Sequence, residues 1–306
     1  MSALSQSNRL DRASGAEPGF IRQLITHVRI SIVATIAMAV IVSGIYPVIV
    51  WGLAQALFHH QANGSLIRKD GSPTNSDADA VGSALLGQPF SAPGYFHPRP
   101  SAAGNGYDST QSGGTNLGPM SDKLLNGLTT PATTQPTTQP ESLAFDGVRL
   151  RTIHYAVDNG IAFKLYNLKP DGTRIEVPLS KFEDAQGNLN DVALVDAFPH
   201  PPSDAPDRVT LIADDFSTPI PADAVTASAS GLDPHISPDN ASLQATRVAK
   251  ARGINPEQVH QLIDQNTDRP SLGLLGDPGV NVLTLNTALD AKFPMPAPPA
   301  TQPAAK

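Results

Sequence analysis

Four groups of residues carry side chains that could do chemistry. In Gln111-Ser112-Gly113-Gly114-Thr115-Asn116, successive backbone N–H groups at glycine could cradle an anion, a weak nucleotide-binding signature. No Lys follows it as in a Walker loop, and the chain has no GxGxxG; short Ser-Gly-Gly runs are common turns. Ser228, Ser230, Asp233 and His235, in TASASGLDPHIS, are the residue types of a hydrolytic triad. Triads are assembled in space from separated segments, and there is no G-x-S-x-G elbow. Asp233 and His235 read better as caps on backbone groups ahead of a helix starting at Ser237. His97 and Arg99 set a basic pair among aromatic residues in GQPFSAPGYFHPRPSAAGNGY, which suits an anionic ligand or, more commonly, a packing loop. Arg247, Lys250 and Arg252 fall late in a predicted helix, where cations complement its dipole. No His/Asp/Glu spacing resembles a metal site.

The elements that must position these residues start with an anchor. Residues 30–58, ISIVATIAMAVIVSGIYPVIVWGLAQALF, contain no charged side chain. A helix needs about 20 mainly apolar residues to cross a bilayer core. Tyr46 and Trp51 lie towards its far end, as interfacial rings do. Gly44 and Pro47 sit inside it, which a spanning helix tolerates. A signal peptide cleaved after Ala54-Gln55-Ala56 is the competing reading, but its apolar region would be roughly half as long. Arg9, Arg12, Arg22 and Arg29 precede the run, so the N-terminus is expected inside and the chain from about residue 60 outside.

The chain has 306 residues and no cysteine, which excludes disulfides, thiol catalysis and thiolate metal sites. A net charge of −7 argues against a nucleic-acid partner. Its 29 prolines and 24 glycines imply much loop. The predicted fold class is α+β: one N-terminal transmembrane helix, then a mixed α/β extracytoplasmic domain with an inserted β-rich unit. The expected boundaries are a cytoplasmic tail (1–29), the transmembrane helix (30–58), the first part of the outer domain (59–128), a Thr/Pro linker with the β-rich unit (129–218), a helical part (219–291) and a disordered tail (292–306). Within the β-rich unit, VRLRTIHYAV, IAFKLYNL, RIEVPLS, VALVDAF and RVTLIADDF read as strands, with Asp158-Asn159-Gly160 and Asp171-Gly172 as turns. Three helices are expected after it. Ser237-Pro238 and Asn255-Pro256 start the first two, Gly253 ends the first, and Asp277-Pro278 starts the third.

Several runs together resemble the C subunit of the bacterial Kdp potassium-transporting ATPase, the KdpC family. They are YPVIVWGLAQALF, ANGSLI, GSALLGQPFSAPGYFHPRPSAAGNGYDSTQSGGTNLGP, TASASGLDPHISPDNASLQATRVAKARG and LGLLGDPGVNVLTLNTALD. They stand in the family's order and cover about half the chain. Residues 129–218 depart from the family pattern, and that insertion is expected to project from the core. The resemblance implies a single-pass bacterial inner-membrane subunit with its main domain periplasmic. Its implied partners are a channel-like A subunit, a P-type ATP-hydrolysing B subunit and a small F subunit. It implies an accessory role, assembling the complex as a catalytic chaperone that raises the pump subunit's affinity for ATP, with Gln244 or Gln111 as the glutamine for the nucleotide. It implies no stably bound cofactor; ATP comes through the pump subunit and potassium is the transported ion. An outward domain meets essentially no ATP, so steadying the channel-like subunit or assisting K⁺ entry stays open beside that role. Motif residues carried by the matching runs are Tyr46, Pro47, Gly52, Gln55, Phe96, Arg99, Pro100, Ser101, Asp233, His235, Ser237, Arg247, Asn281 and Asn286. The competing function is a membrane-anchored periplasmic binding module working through its β-rich insertion.

Overall fold

The computed structural model describes residues 19–130, 142–199, 209–270 and 272–296. The chain divides into two units, one ending at Ala62 and one beginning at Asn63. In the first, the chain is helical from Phe20 to Leu57, as α1 (Phe20–Ala39), one π-helical turn (Val40–Ile45) and α2 (Tyr46–Leu57). These 38 residues rise roughly 57 Å at about 1.5 Å each, more than a bilayer core of ~30 Å requires. None of them is buried. The helix starts well before Ile30, so the part of the expected tail from Phe20 to Arg29 is helical. No Gly or Pro follows Gly19 there to stop it. The linker residues 131–140 and the first eighteen residues lie outside the described residues.

Pro47 has no N–H for the carbonyl of Ser43, and its ring crowds that carbonyl. The π turn immediately before it widens the hydrogen-bond ladder and lets the helix continue. A short helix α3 (His59–Ala62) closes the unit, and Gln55 Oε1 meets His59 Nδ1 at 2.8 Å.

The second unit holds two hydrophobic clusters. It opens with the antiparallel pair β1 (Leu66–Arg68) and β2 (Ala80–Ser83). After the Phe90–Asn116 loop system come α4 (Asp122–Asn126) and the pair β3 (Leu128–Thr130) and β4 (Ser142–Phe145). Next follow α5 (Val148–Asn159), β5 (Lys164–Leu168), β6 (Arg174–Val177), α6 (Asp191–Ala197) and β7 (Thr210–Asp214). The sheet order is β6-β5-β7, antiparallel throughout. Leu150 and Ile153 of α5 and Leu194 of α6 pack with Leu165, Phe198 and Leu211 over this sheet.

The remaining elements are α7 (Ala222–Val225), β8 (His235–Ile236), α8 (Pro238–Arg252), α9 (Pro256–Gln265), β9 (Thr267–Asp268), β10 (Gly279–Asn281) and α10 (Val282–Lys292). Phe96, Val248, Val259, Leu262, Leu285 and Leu289 form their core with Ile236 and Val280 of a β8-β10-β9 sheet. Ser237 and Asn255 cap α8 and α9, each followed by Pro, and Gly253 ends α8 in the left-handed conformation.

Several expectations are overturned. VRLRTIHYAV is helix α5, because Leu150, Ile153 and Ala156 recur every three residues and all three are buried. Asp158-Asn159-Gly160 is the end of that helix, with Gly160 left-handed, and not a hairpin. VALVDAF lies in α6, capped by Asn190. The inserted unit is therefore mixed helix and sheet, with three of the five expected strands present. It does not project: Tyr155 of α5 donates to Asn240 Oδ1 of α8 at 2.8 Å, and Arg247 donates to Asn159 Oδ1 at 3.0 Å. The C-terminal part is not helical alone, since β8, β9 and β10 run through it. The third helix is capped by Asn281, residues 279–281 being strand. At the start of the expected tail, the Phe293 carbonyl accepts from Arg252 Nη1; residues 297–306 lie outside the described residues.

Leu194 and Leu285 are fully buried, one in each cluster. Leu194→Ala and Leu285→Ala should each cost about 3 kcal/mol, through lost burial and a residual cavity. Urea unfolding of the detergent-solubilised chain checks this; a loss under about 1 kcal/mol would mean the site collapses around the change.

Candidate functional site

Residues 93–100 join no sheet, and the stretch passes through the core at Gly94 and Phe96 with its other residues half-buried or exposed. Buried backbone groups there still need partners, and side chains supply them. Asn286 on α10 accepts from the Phe96 N–H at 2.9 Å and donates to the Phe96 carbonyl at 3.0 Å. Gln244 on α8 does the same for His97, at 2.7 and 3.0 Å. The other Gln244 proton goes to Asn240 Oδ1, and its oxygen also accepts from Arg247 Nη2. Two donors and two acceptor positions are thus all engaged, in a side chain 1% exposed.

Two arginines of α8 extend the clasp. Arg247 Nη1 donates to the carbonyls of Pro93 and Tyr95. Arg252 donates to the Gly94 carbonyl at 2.7 Å and to Asp290 at 2.9 Å, with its guanidinium 4.8 Å from the Tyr95 ring centroid. Its side chain is completely buried. The helix-dipole reading of this cluster therefore misses its main work, which is binding the Pro93–His97 strip. Asp290 and Asn240 were not singled out by sequence, and Arg252 was read only as a cation near the helix end; the apolar register of α8 and α10, which turns these polar residues inward, is the signal that points to them.

Past the strip, Arg99 pairs with Asp233 at 2.9 Å. Ser101 Oγ donates to the Gly231 carbonyl at 2.6 Å and accepts from Tyr107 N–H. The Tyr107 hydroxyl donates to the Arg99 carbonyl, and burial pushes its phenol up to about 12. The Gly-rich run docks on the same turn. Gly113 N–H and Ser112 Oγ both donate to the Ser230 carbonyl, and Gly114 sits so close to Ala229 that a Cβ would lie 3.0 Å from its carbonyl oxygen. Gln111 donates to Asp108, and Asn116 is left-handed. Gln111 and Gln244 thus serve separate local networks.

The hydrolytic residue types do not assemble as a triad. Ser230 Oγ accepts from Leu232 N–H and meets Ser228 Oγ, whereas His235 Nε2 faces Asp268 at 2.9 Å. Asp233 Oδ1 accepts from the His235 N–H, the capping role expected of it, but the His235 side chain, expected to cap as well, pairs with the Asp268 carboxylate instead. His235 reaches Asp268 across Gly279, where a Cβ would come within 3.2–3.3 Å of the imidazole side chain. Ser237 caps α8 while Asp223 holds both its N–H and its hydroxyl. Asn281 caps α10 and donates to the Ala84 carbonyl. Tyr46, Pro47, Gly52 and Gln55 lie on α2 in the other unit.

Where α5 lies beside the strip, a cleft of about 390 Å³ opens. His97, Pro98, Pro100, His154, Tyr155 and Gln244 are among the residues that line it. His154 Nε2 meets Asp191 at 2.7 Å. Burial and the Asp223 charge push the Tyr155 phenol up, so it stays a donor. Burial and the nearby Arg247 charge push the His97 imidazole below its ordinary range. Among the described residues, no group of three or more His, Asp or Glu could hold a metal ion.

The family profile described as "KdpC: K+-transporting ATPase, c chain" matches residues 28–145 and 204–291. It leaves residues 146–203, which include α5 and α6, between its two matched parts. The chain is 35% identical over 277 residues to the potassium-transporting ATPase KdpC subunit of Koribacter versatilis (strain Ellin345), covering 90% of this chain and 98% of that one. It is 37% identical over 271 residues to the KdpC subunit of Caulobacter vibrioides (strain NA1000 / CB15N), covering 89% and 96%. The KdpC subunit of Myxococcus xanthus is 39% identical over 264 residues, covering 86% and 87%.

Gln244→Ala should cost about 2–4 kcal/mol, because His97 N–H and C=O lose their partners in a buried place. Thermal unfolding measures it, and an effect below about 0.5 kcal/mol would remove the clasp from any structural role. Burial and the Arg247 charge disfavour a protonated His97 in the folded chain, while the unfolded chain takes up a proton near pH 6.5. The stability this contributes is complete above that pH and is lost as pH falls below it, towards the lowered folded value. His97→Gln should flatten that part of the stability–pH curve; an unchanged slope below pH ~6.5 would assign it to other groups.

Proposed function

The chain belongs to the KdpC family, the c chain of K⁺-transporting ATPases, and on that premise we propose that it is the accessory, non-catalytic subunit of a high-affinity potassium-uptake pump. Potassium is the ion such an ATPase transports. The observation that carries the reading is the match of the profile to the hydrophobic cluster built around Phe96, Val248 and Leu285 together with most of the exposed apolar helix. In this reading α1 and α2 anchor the chain in the inner membrane. Arg22 and Arg29 mark the cytoplasmic end, and the unit from Asn63 onward is periplasmic.

The partners in this reading are a channel-like A subunit, an ATP-hydrolysing B subunit and a small F subunit. The chain stabilises their assembly and raises the ATP affinity of the B subunit. That effect acts through the membrane-embedded parts of the complex. Gln244 is a poor candidate for a direct nucleotide contact, because its amide has no hydrogen-bonding position left. Its work is to hold the Phe96–His97 strip, on whose shape the outer surface depends. Docking of α5 on α8 makes residues 146–203 part of the same unit, which weighs against an independent binding module.

Purification in mild detergent of the complex made with and without this chain tests the proposal. With the chain, the other subunits co-purify and ATP hydrolysis responds to K⁺. Without it, the K⁺ response is lost and the KM for ATP rises roughly tenfold, an ordinary coupling of ~1.4 kcal/mol between sites. A complex that keeps its subunits, K⁺ response and KM without this chain overturns the proposal.

A further inference from the structure

The loop between β9 and β10 exposes three leucines. Leu272 is 88% exposed, Leu274 77% and Leu275 57%. Leu272 also has a φ of +55°, in the left-handed region that bulky side chains avoid. Gly273 and Gly276 are left-handed beside it. Scattered single apolar residues on a surface need no explanation, but a cluster on a strained turn does.

The foot of this loop is acidic. Asp268 ends β9 and Asp277 lies two residues before Gly279, the first residue of β10. Both line a cleft of about 430 Å³ with Asp223, Asp233, His235 and Arg99. Four carboxylates thus face one guanidinium and one imidazole, and Arg269, exposed beside Asp268 where the loop begins, adds a second guanidinium that leaves the carboxylates in excess. An acidic groove beneath an apolar tip is complementary to a basic rim around an apolar socket. The same carboxylates repel an anionic lipid surface. The His235–Asp268 pair, spanning β10 at Gly279, fixes where the loop leaves the sheet.

We propose that the leucine-tipped loop and the acidic cleft at its foot form one docking surface for another subunit of the ATPase, which presents an apolar socket rimmed by Lys or Arg. The inference rests on the reading of this chain as an ATPase subunit. The leucines carry the contact and the carboxylates orient it.

The test uses the full chain expressed with its partner subunits. The triple variant Leu272→Ser, Leu274→Ser, Leu275→Ser changes only exposed side chains and should unfold at the temperature of the unsubstituted chain. It should recover about tenfold less of the other subunits in mild detergent, as loss of a central apolar anchor does. Asp277→Lys should weaken recovery as well, and raised salt should loosen the unsubstituted complex. Because the chain has no cysteine, Leu274→Cys takes an environment-sensitive dye at a single site. The dye should stay water-exposed in phosphatidylethanolamine–phosphatidylglycerol nanodiscs holding this chain alone, and shift to the blue when the other subunits are added. Undiminished recovery of partners by the triple variant overturns the docking surface while leaving the subunit assignment intact. A blue shift in nanodiscs without partners overturns it in favour of lipid. If the unsubstituted chain recovers no subunit, the assignment itself fails and the docking surface with it.

Discussion

Everything in the second unit depends on satisfying a buried backbone that has no strand beside it. Phe96 fills the centre of one hydrophobic cluster, and its main chain goes in with it. Pro98 and Pro100 supply no N–H for a ladder. Carboxamides from two helices take the place of a neighbouring strand, each reading one residue's N–H and C=O together. An amide is the side chain with both a donor and an acceptor in the right spacing. The price of such a solution is rigidity, because no member of the network can turn without stranding a partner.

That constraint explains why the strip's neighbours are so polar for a core. Arg252 is buried, yet its guanidinium is matched by two carbonyls, the Asp290 carboxylate and the Tyr95 ring. Asn240 joins the two hydrophobic clusters by accepting from Tyr155 on one side and Gln244 on the other. Residues 146–203 therefore share a polar seam with the family-matched core, and the cleft beside Tyr155 lies along that seam.

Local signals in the sequence were dependable where the physics is local. Ser237-Pro238, Asn255-Pro256 and Gly253 mark helix ends because capping is settled within a few residues. The turn at Asp171-Gly172 and the strands either side of it were legible for the same reason. VRLRTIHYAV misleads because β-branched and aromatic residues suggest strand while its buried residues follow a helical step. The membrane run was plain, but its N-terminal extension to Phe20 was not, since Arg22 and Arg29 mask a continuing helix. The clasp was out of reach: Gln244 and Asn286 act on residues 147 and 190 positions away. Gln244 stood out only through the family resemblance, and with a different role attached.

A strip whose N–H and C=O groups are answered by side chains presents no open edge. Neighbouring copies therefore find no free N–H or C=O along residues 95–97 to extend by strand addition. For a polypeptide with no sulfur cross-links to slow its opening, that closure is a built-in safeguard against self-templated aggregation.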